Sequence, residues 1–122
     1  MKLEKVINSG EALLELSNKE LSISTSIKIK KVLKEYDEIK ALYQKKVNDL
    51  YTSLGKELDD GSGVYQVLPE NVEQFNEKVN ELHNEEVLEN IEDYQINISQ
   101  LEQSNISIKP TILFDLEWLL VE

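Results

Sequence analysis

The side chains able to do chemistry in this sequence are few, and most of them are carboxylates. There is one histidine, His83, and no cysteine. His83 stands in Leu82-His-Asn-Glu-Glu86, so with Glu86 at i+3 it could place two ligands on one helix face. Two ligands fall short of a catalytic metal site, which ordinarily takes three protein ligands and a water, and the spacing predicts an ordinary surface or helix-end histidine. Asp59-Asp60-Gly61 resembles the start of a calcium loop, and Glu70 would fall at its twelfth position. The third and fifth positions are Gly61 and Gly63, which supply no side-chain oxygen, and the sixth is Val64 where such a loop needs glycine. A plain turn is the expectation. Without cysteine, a disulfide framework, a thiolate zinc site and a cysteine nucleophile are all excluded. No glycine-rich phosphate loop, nucleophile elbow or histidine-based triad is present. Carboxylate pairs such as Glu73 with Glu77 and Glu85 with Glu89 carry no sign of the desolvation that acid/base work requires. The expectation is a protein that is not an enzyme and takes no cofactor and no metal.

The charges themselves are distributed unevenly. All thirteen basic residues are lysine, so the bidentate arginine forks that dominate guanine readout and many phosphate clamps are lacking. Residues 1–56 hold 11 lysines against 8 acidic residues, a net +3, and residues 57–122 hold 2 against 16, a net −14. A field of that sign repels nucleic acid and attracts basic partners. The carboxylates of Glu70, Glu73, Glu77, Glu81, Glu85, Glu89 and Asp93 form the candidate partner-binding face. Lys28, Lys30, Lys31 and Lys34 make the one basic patch; with acidic residues following at once, it is expected to be a solvated helix face paired with the acidic half.

The elements that must position these groups are mostly helical. A first helix is expected from about Glu4 to Ser17, weakened at Gly10. Ser22-Ile-Ser-Thr-Ser26 is rich in capping residues and opens a long helix over 27–54. Its apolar stripe, Ile29, Val32, Tyr36, Ile39, Tyr43, Val47, Leu50 and Leu54, steps by three and four for more than seven turns. So long a stripe must pack along another helix or along a second copy of the chain, so Ile29 to Leu50 is a candidate core or oligomer seam. Gly55 stands where a C′ glycine belongs. A loop over about 56–68 contains a short strand candidate, Val64 to Leu68, and Pro69 then opens a helix over 70–84 whose stripe is Val72, Phe75, Val79 and Leu82. Tyr94, Ile96 and Ile98 alternate as in a half-buried strand, as do Ile106 and Ile108. Pro110 starts a terminal helix running through Leu120 with Trp118 on its flank. The fold expected is α+β but mainly helical, one domain over residues 1–122: the 27–54 helix packed against the 70–84 helix, short terminal helices and a small antiparallel strand element. The N-terminus lacks the apolar stretch of a signal peptide, and no apolar run approaches a membrane span, so a cytoplasmic protein is expected.

Several segments together carry a resemblance: Met1-Lys-Leu with Glu11-Ala-Leu-Leu-Glu-Leu-Ser17, Ile27-Lys-Ile-Lys-Lys31, Val64-Tyr-Gln-Val67, Glu81-Leu-His-Asn-Glu-Glu86, and Ile106-Ser-Ile-Lys-Pro-Thr-Ile-Leu-Phe-Asp-Leu-Glu-Trp-Leu-Leu120. In these the chain resembles an uncharacterised family of small phage and prophage proteins from low-GC Gram-positive bacteria. The resemblance implies a viral or prophage origin and an accessory or virion-related role inside the infected or lysogenic host. Joined to the charge, it leads to a non-enzymatic accessory protein that binds a host or phage protein. Its sharpest form is an acidic inhibitor of a host defence or nucleic-acid-handling factor. The alternative is a tail or head assembly protein that forms homo-oligomers through the long helix. Neither reading calls for direct nucleic-acid or membrane contact.

Overall fold

Ser22 sets the start of the long helix. In the computed structural model, which describes residues 1–122, its hydroxyl accepts a hydrogen bond from the Thr25 amide at 3.3 Å. That closes one of the donors left open at a helix N-terminus. The short helices α1 (Leu3–Asn8) and α2 (Gly10–Ser17) precede it, and the capped helix, α3, spans Ile23–Leu54. At 32 residues it is about 48 Å long. The stripe expected over 27–54 therefore lies on a single helix that begins four residues earlier, at the cap.

α3 leaves directly into a small antiparallel sheet. Strand β1 (Gly55–Glu57) pairs with β2 (Tyr65–Val67) in the register Gly55 to Val67, Lys56 to Gln66 and Glu57 to Tyr65. Gly55 is thus not a left-handed helix cap as its position suggested. Its backbone is extended, and a β-carbon there would stand 2.5 Å from the Tyr51 carbonyl and 2.6 Å from that of Gln66. The glycine is needed for close approach between helix end and strand. Between the strands, the Asp60 carboxylate accepts from the Ser62 amide (2.9 Å) and hydroxyl (2.5 Å), an Asx-type turn. A 3-10 turn, Pro69–Asn71, then leads into α4 (Val72–His83). Tyr51 meets Phe75 with ring centroids 4.9 Å apart and Tyr43 meets His83, so α4 runs back antiparallel along the outer half of α3.

The return to the first helices departs from the sequence pattern in three places. The helix expected over Glu4–Ser17 breaks at Ser9, which is 1% exposed. Its hydroxyl lies 2.7 Å from the Lys5 carbonyl and 3.2 Å from that of Asp115, and accepts from Trp118 Nε1 at 2.8 Å. A β-carbon at Gly10 would collide with the Tyr36 hydroxyl, so the bend also lets α3 come close. Second, the alternating run at Tyr94, Ile96 and Ile98 yields only the two-residue strand β3 (Ile96–Asn97). Asn97 accepts from the Ser99 amide at 2.9 Å and so caps α5 (Ile98–Gln103), which takes Ile98 into a helix. Ile106 and Ile108 pack on the core from irregular chain. Third, the terminal helix α6 (Pro110–Asp115) stops short of Leu120. The tail turns inward and forms β4 (Leu120–Val121), parallel to β3, with Trp118 buried at 7% exposure rather than flanking.

Burial divides the chain in two. A twelve-residue apolar core is drawn from α2, the first third of α3, β3, α5, α6 and the tail. We call this part the head. Between Leu33 and Glu81 no residue is fully buried, and that stretch forms an arm of two helices with the small sheet at its tip. Of the candidate seam, Ile29 and Val32 belong to the head core, Tyr36 packs on its edge, and Ile39, Tyr43, Val47 and Leu50 are half-buried along the arm. No helix is long and apolar enough to cross a membrane.

Candidate protein-binding surface

A helix turns about 100° per residue, so residues four apart nearly superpose in projection. On α4 the side chains of Phe75, Val79 and Leu82 point inward: Leu82 is buried and the other two half-buried. Glu73, Glu77 and Glu81 then fall on the opposite side, and all three are exposed. Glu70, also exposed, sits just ahead in the 3-10 turn. Lys78 approaches Glu81 at 3.8 Å, an exposed pair of small energetic consequence, whereas Glu73 and Glu77 make no ion pair. Successive carboxylates of this row are about 6 Å apart along the helix axis.

The other three carboxylates of the expected face do not extend the row. Asn84 ends the helix, its side-chain amide donating to the Asn80 carbonyl at 2.9 Å. Beyond it Glu85 turns back to Lys46 on α3, at 3.2 Å. Glu89 lies in irregular chain, just after Leu88 with its left-handed backbone, and Asp93 closes the 3-10 turn Ile91–Asp93. The face is a row of three on α4 with Glu70 just ahead of it in the 3-10 turn, and three scattered neighbours.

His83 is the last residue of α4. It exchanges a hydrogen bond with the Tyr43 hydroxyl at 2.9 Å while the two rings stack with centroids 5.6 Å apart. That contact and the Lys46–Glu85 pair fasten the base of the arm. Sequence reading missed a further fastening beside it. The chain's first residues clamp the exit of α4: the Met1 ammonium donates to Glu86 at 2.5 Å, the Leu3 amide to the Glu85 carbonyl and the Val87 amide to the Met1 carbonyl, both at 2.8 Å. The ammonium's hydrogen bond and charge hold the Glu86 carboxyl below the usual carboxylate range. Contacts across so long a sequence separation leave no trace in periodicity.

Nowhere do three His, Asp or Glu side chains converge as a metal-binding group. Tyr94, partly withdrawn from water and facing Glu35, has its phenol pushed upward, which keeps it neutral. Lys28, Lys30, Lys31 and Lys34 were expected to pair with the acidic half, yet none of them makes an ion pair; the lysines that do are Lys46, Lys78 and Lys109. No protein-family model matches the chain, and neither a curated protein nor a solved structure shows significant similarity to it.

Proposed function

We propose that this chain is a phage or prophage accessory protein that acts by binding another protein, in the cytoplasm of the infected or lysogenic bacterium. The contact surface is the carboxylate row of Glu70, Glu73, Glu77 and Glu81, and the partner is a basic, nucleic-acid-handling protein of the host. One observation carries the reading: like charges along the outer side of a projecting helix and the turn that enters it, three of them with no internal counter-ion. Such a row is complementary to a lysine- and arginine-lined groove built for phosphates, and its attraction weakens as salt rises.

The test is affinity capture from host lysate with the tagged protein, followed by a salt titration. Capture of one basic host protein, lost in high salt and lost on reversal of Glu73, Glu77 and Glu81 to Lys, is the expected result. A partner that binds the reversed protein equally well would remove the row from the mechanism. The second reading, an assembly protein that self-associates through the long helix, draws on the half-buried stripe of the arm. Its presence in purified particles would favour that reading.

A further inference from the structure

Two clefts open along α3. One, of about 420 Å³, is floored by Leu21, Ile29 and Leu33 and rimmed by Lys30, Lys34 and Asp37. The other, of about 540 Å³, lies at the far end of the arm, where Asn48, Tyr51 and Thr52 face Gly63, Val64 and Tyr65. Lys30 and Asn48, Leu33 and Tyr51, and Lys34 and Thr52 are each eighteen residues apart, which is about five whole turns. The head cleft and the arm tip therefore sit on the same side of one helix, about 27 Å apart.

Their chemistry is complementary. The tip exposes Val64, 53% accessible, beside Tyr65, and carries the exposed carboxylates Glu57, Asp59 and Asp60. The head cleft offers an apolar floor and two ammonium groups that make no ion pair within the chain. A tip cannot reach its own cleft along a straight helix, but the tip of another copy can.

We propose that a second copy of this chain covers this face: the two α3 helices lie antiparallel about a two-fold axis near Ala41, and each arm tip enters the Lys30/Lys34 cleft of the other. Ala41 is exposed and stands eleven residues from both Lys30 and Thr52, midway between the two complementary sites and on their side of the helix. Its small side chain permits close approach of the axes. Equal spacing on either side of it sets Asp37 of each copy against Lys45 of the other, which offsets the one carboxylate on the cleft rim. Two complementary sites on one face, arranged about a midpoint, are what an isologous, closed dimer requires. The arrangement leaves the question of what the carboxylate row binds untouched.

The cysteine-free chain makes a direct test possible. A residue at a two-fold axis meets its own copy, so the full-length Ala41→Cys protein is expected to oxidise to a disulfide-linked dimer. Leu42→Cys, also exposed but about 100° around the helix, is expected to form no disulfide-linked dimer under the same mild oxidation. In sedimentation equilibrium the double reversals Lys30→Glu/Lys34→Glu and Asp59→Lys/Asp60→Lys are each expected to weaken self-association about tenfold or more. Mixing those two variants is expected to restore a heterodimer, which a merely misfolded variant could not do. A wild-type monomer at every concentration, equal cross-linking at positions 41 and 42, or dimers indifferent to both reversals would each overturn the proposal.

Discussion

In the head, apolar side chains leave water altogether: Leu13, Leu16, Ile96, Leu116 and Leu119 are each 0% exposed. Along the arm the same kinds of residue, Ile39, Val47, Leu50, Phe75 and Val79, stop half-way. The stripe itself does not change along α3, so its composition is not the reason. A head residue is enclosed by α2, the α5–α6 segment and the inturned tail, whereas an arm residue has one opposing helix and water on either flank. Since hydrophobic stabilisation follows the area removed from water, about 25 cal/mol per Å², an identical sequence pattern yields less stability per residue in the arm. One helix thus serves as core at one end and as a lightly supported extension at the other.

Truncations are the strongest way to break that comparison. Leu16→Ala or Leu119→Ala is expected to cost about 3 kcal/mol by urea denaturation, and Val47→Ala about 1 kcal/mol. Equal costs would mean the arm is enclosed after all. Next comes Ser9→Ala, which removes the acceptor of the buried Trp118 indole N–H; a loss of about 2 kcal/mol is expected in the same measurement. Tyr43→Phe deletes the hydroxyl bonded to His83, and its effect, about 1 kcal/mol, is expected as faster amide exchange in α4 with the head unchanged.

The smallest effect concerns Glu86. Its carboxyl is held below the ordinary carboxylate value by the Met1 ammonium, so its contribution is complete above that ordinary value and fades as pH falls through the lowered one. Glu86→Gln is expected to flatten that part of the acid unfolding curve and to leave the head's stability at neutral pH nearly unchanged.

What was legible in the sequence was local. The α3 stripe, the capping run at Ser22 and the Pro69 entry to α4 depend on neighbours within a turn or two, and each stands where the spacing put it. The break at Ser9 depends on Trp118, 109 residues away, and β3 exists because β4 returns to lie beside it. Alternation at Ile96 and Ile98 gave the inward direction of Ile96 but could not reveal that Asn97 would cap a helix instead of extending a strand. The candidate surface divides in the same way. Glu73, Glu77 and Glu81 line up because helical spacing alone decides it, while Glu85 leaves the row because Asn84 ends the helix and Lys46, on another element, draws it in.

Trp118 is the chain's single tryptophan, and its indole is sealed into the head against Ser9. Its emission therefore reports on the head alone. An arm that frayed or came apart would be invisible to tryptophan fluorescence, whereas circular dichroism would register the loss of α4 and half of α3. Melting curves from the two signals need not coincide, and the gap between them would measure how independently the two parts of the molecule unfold.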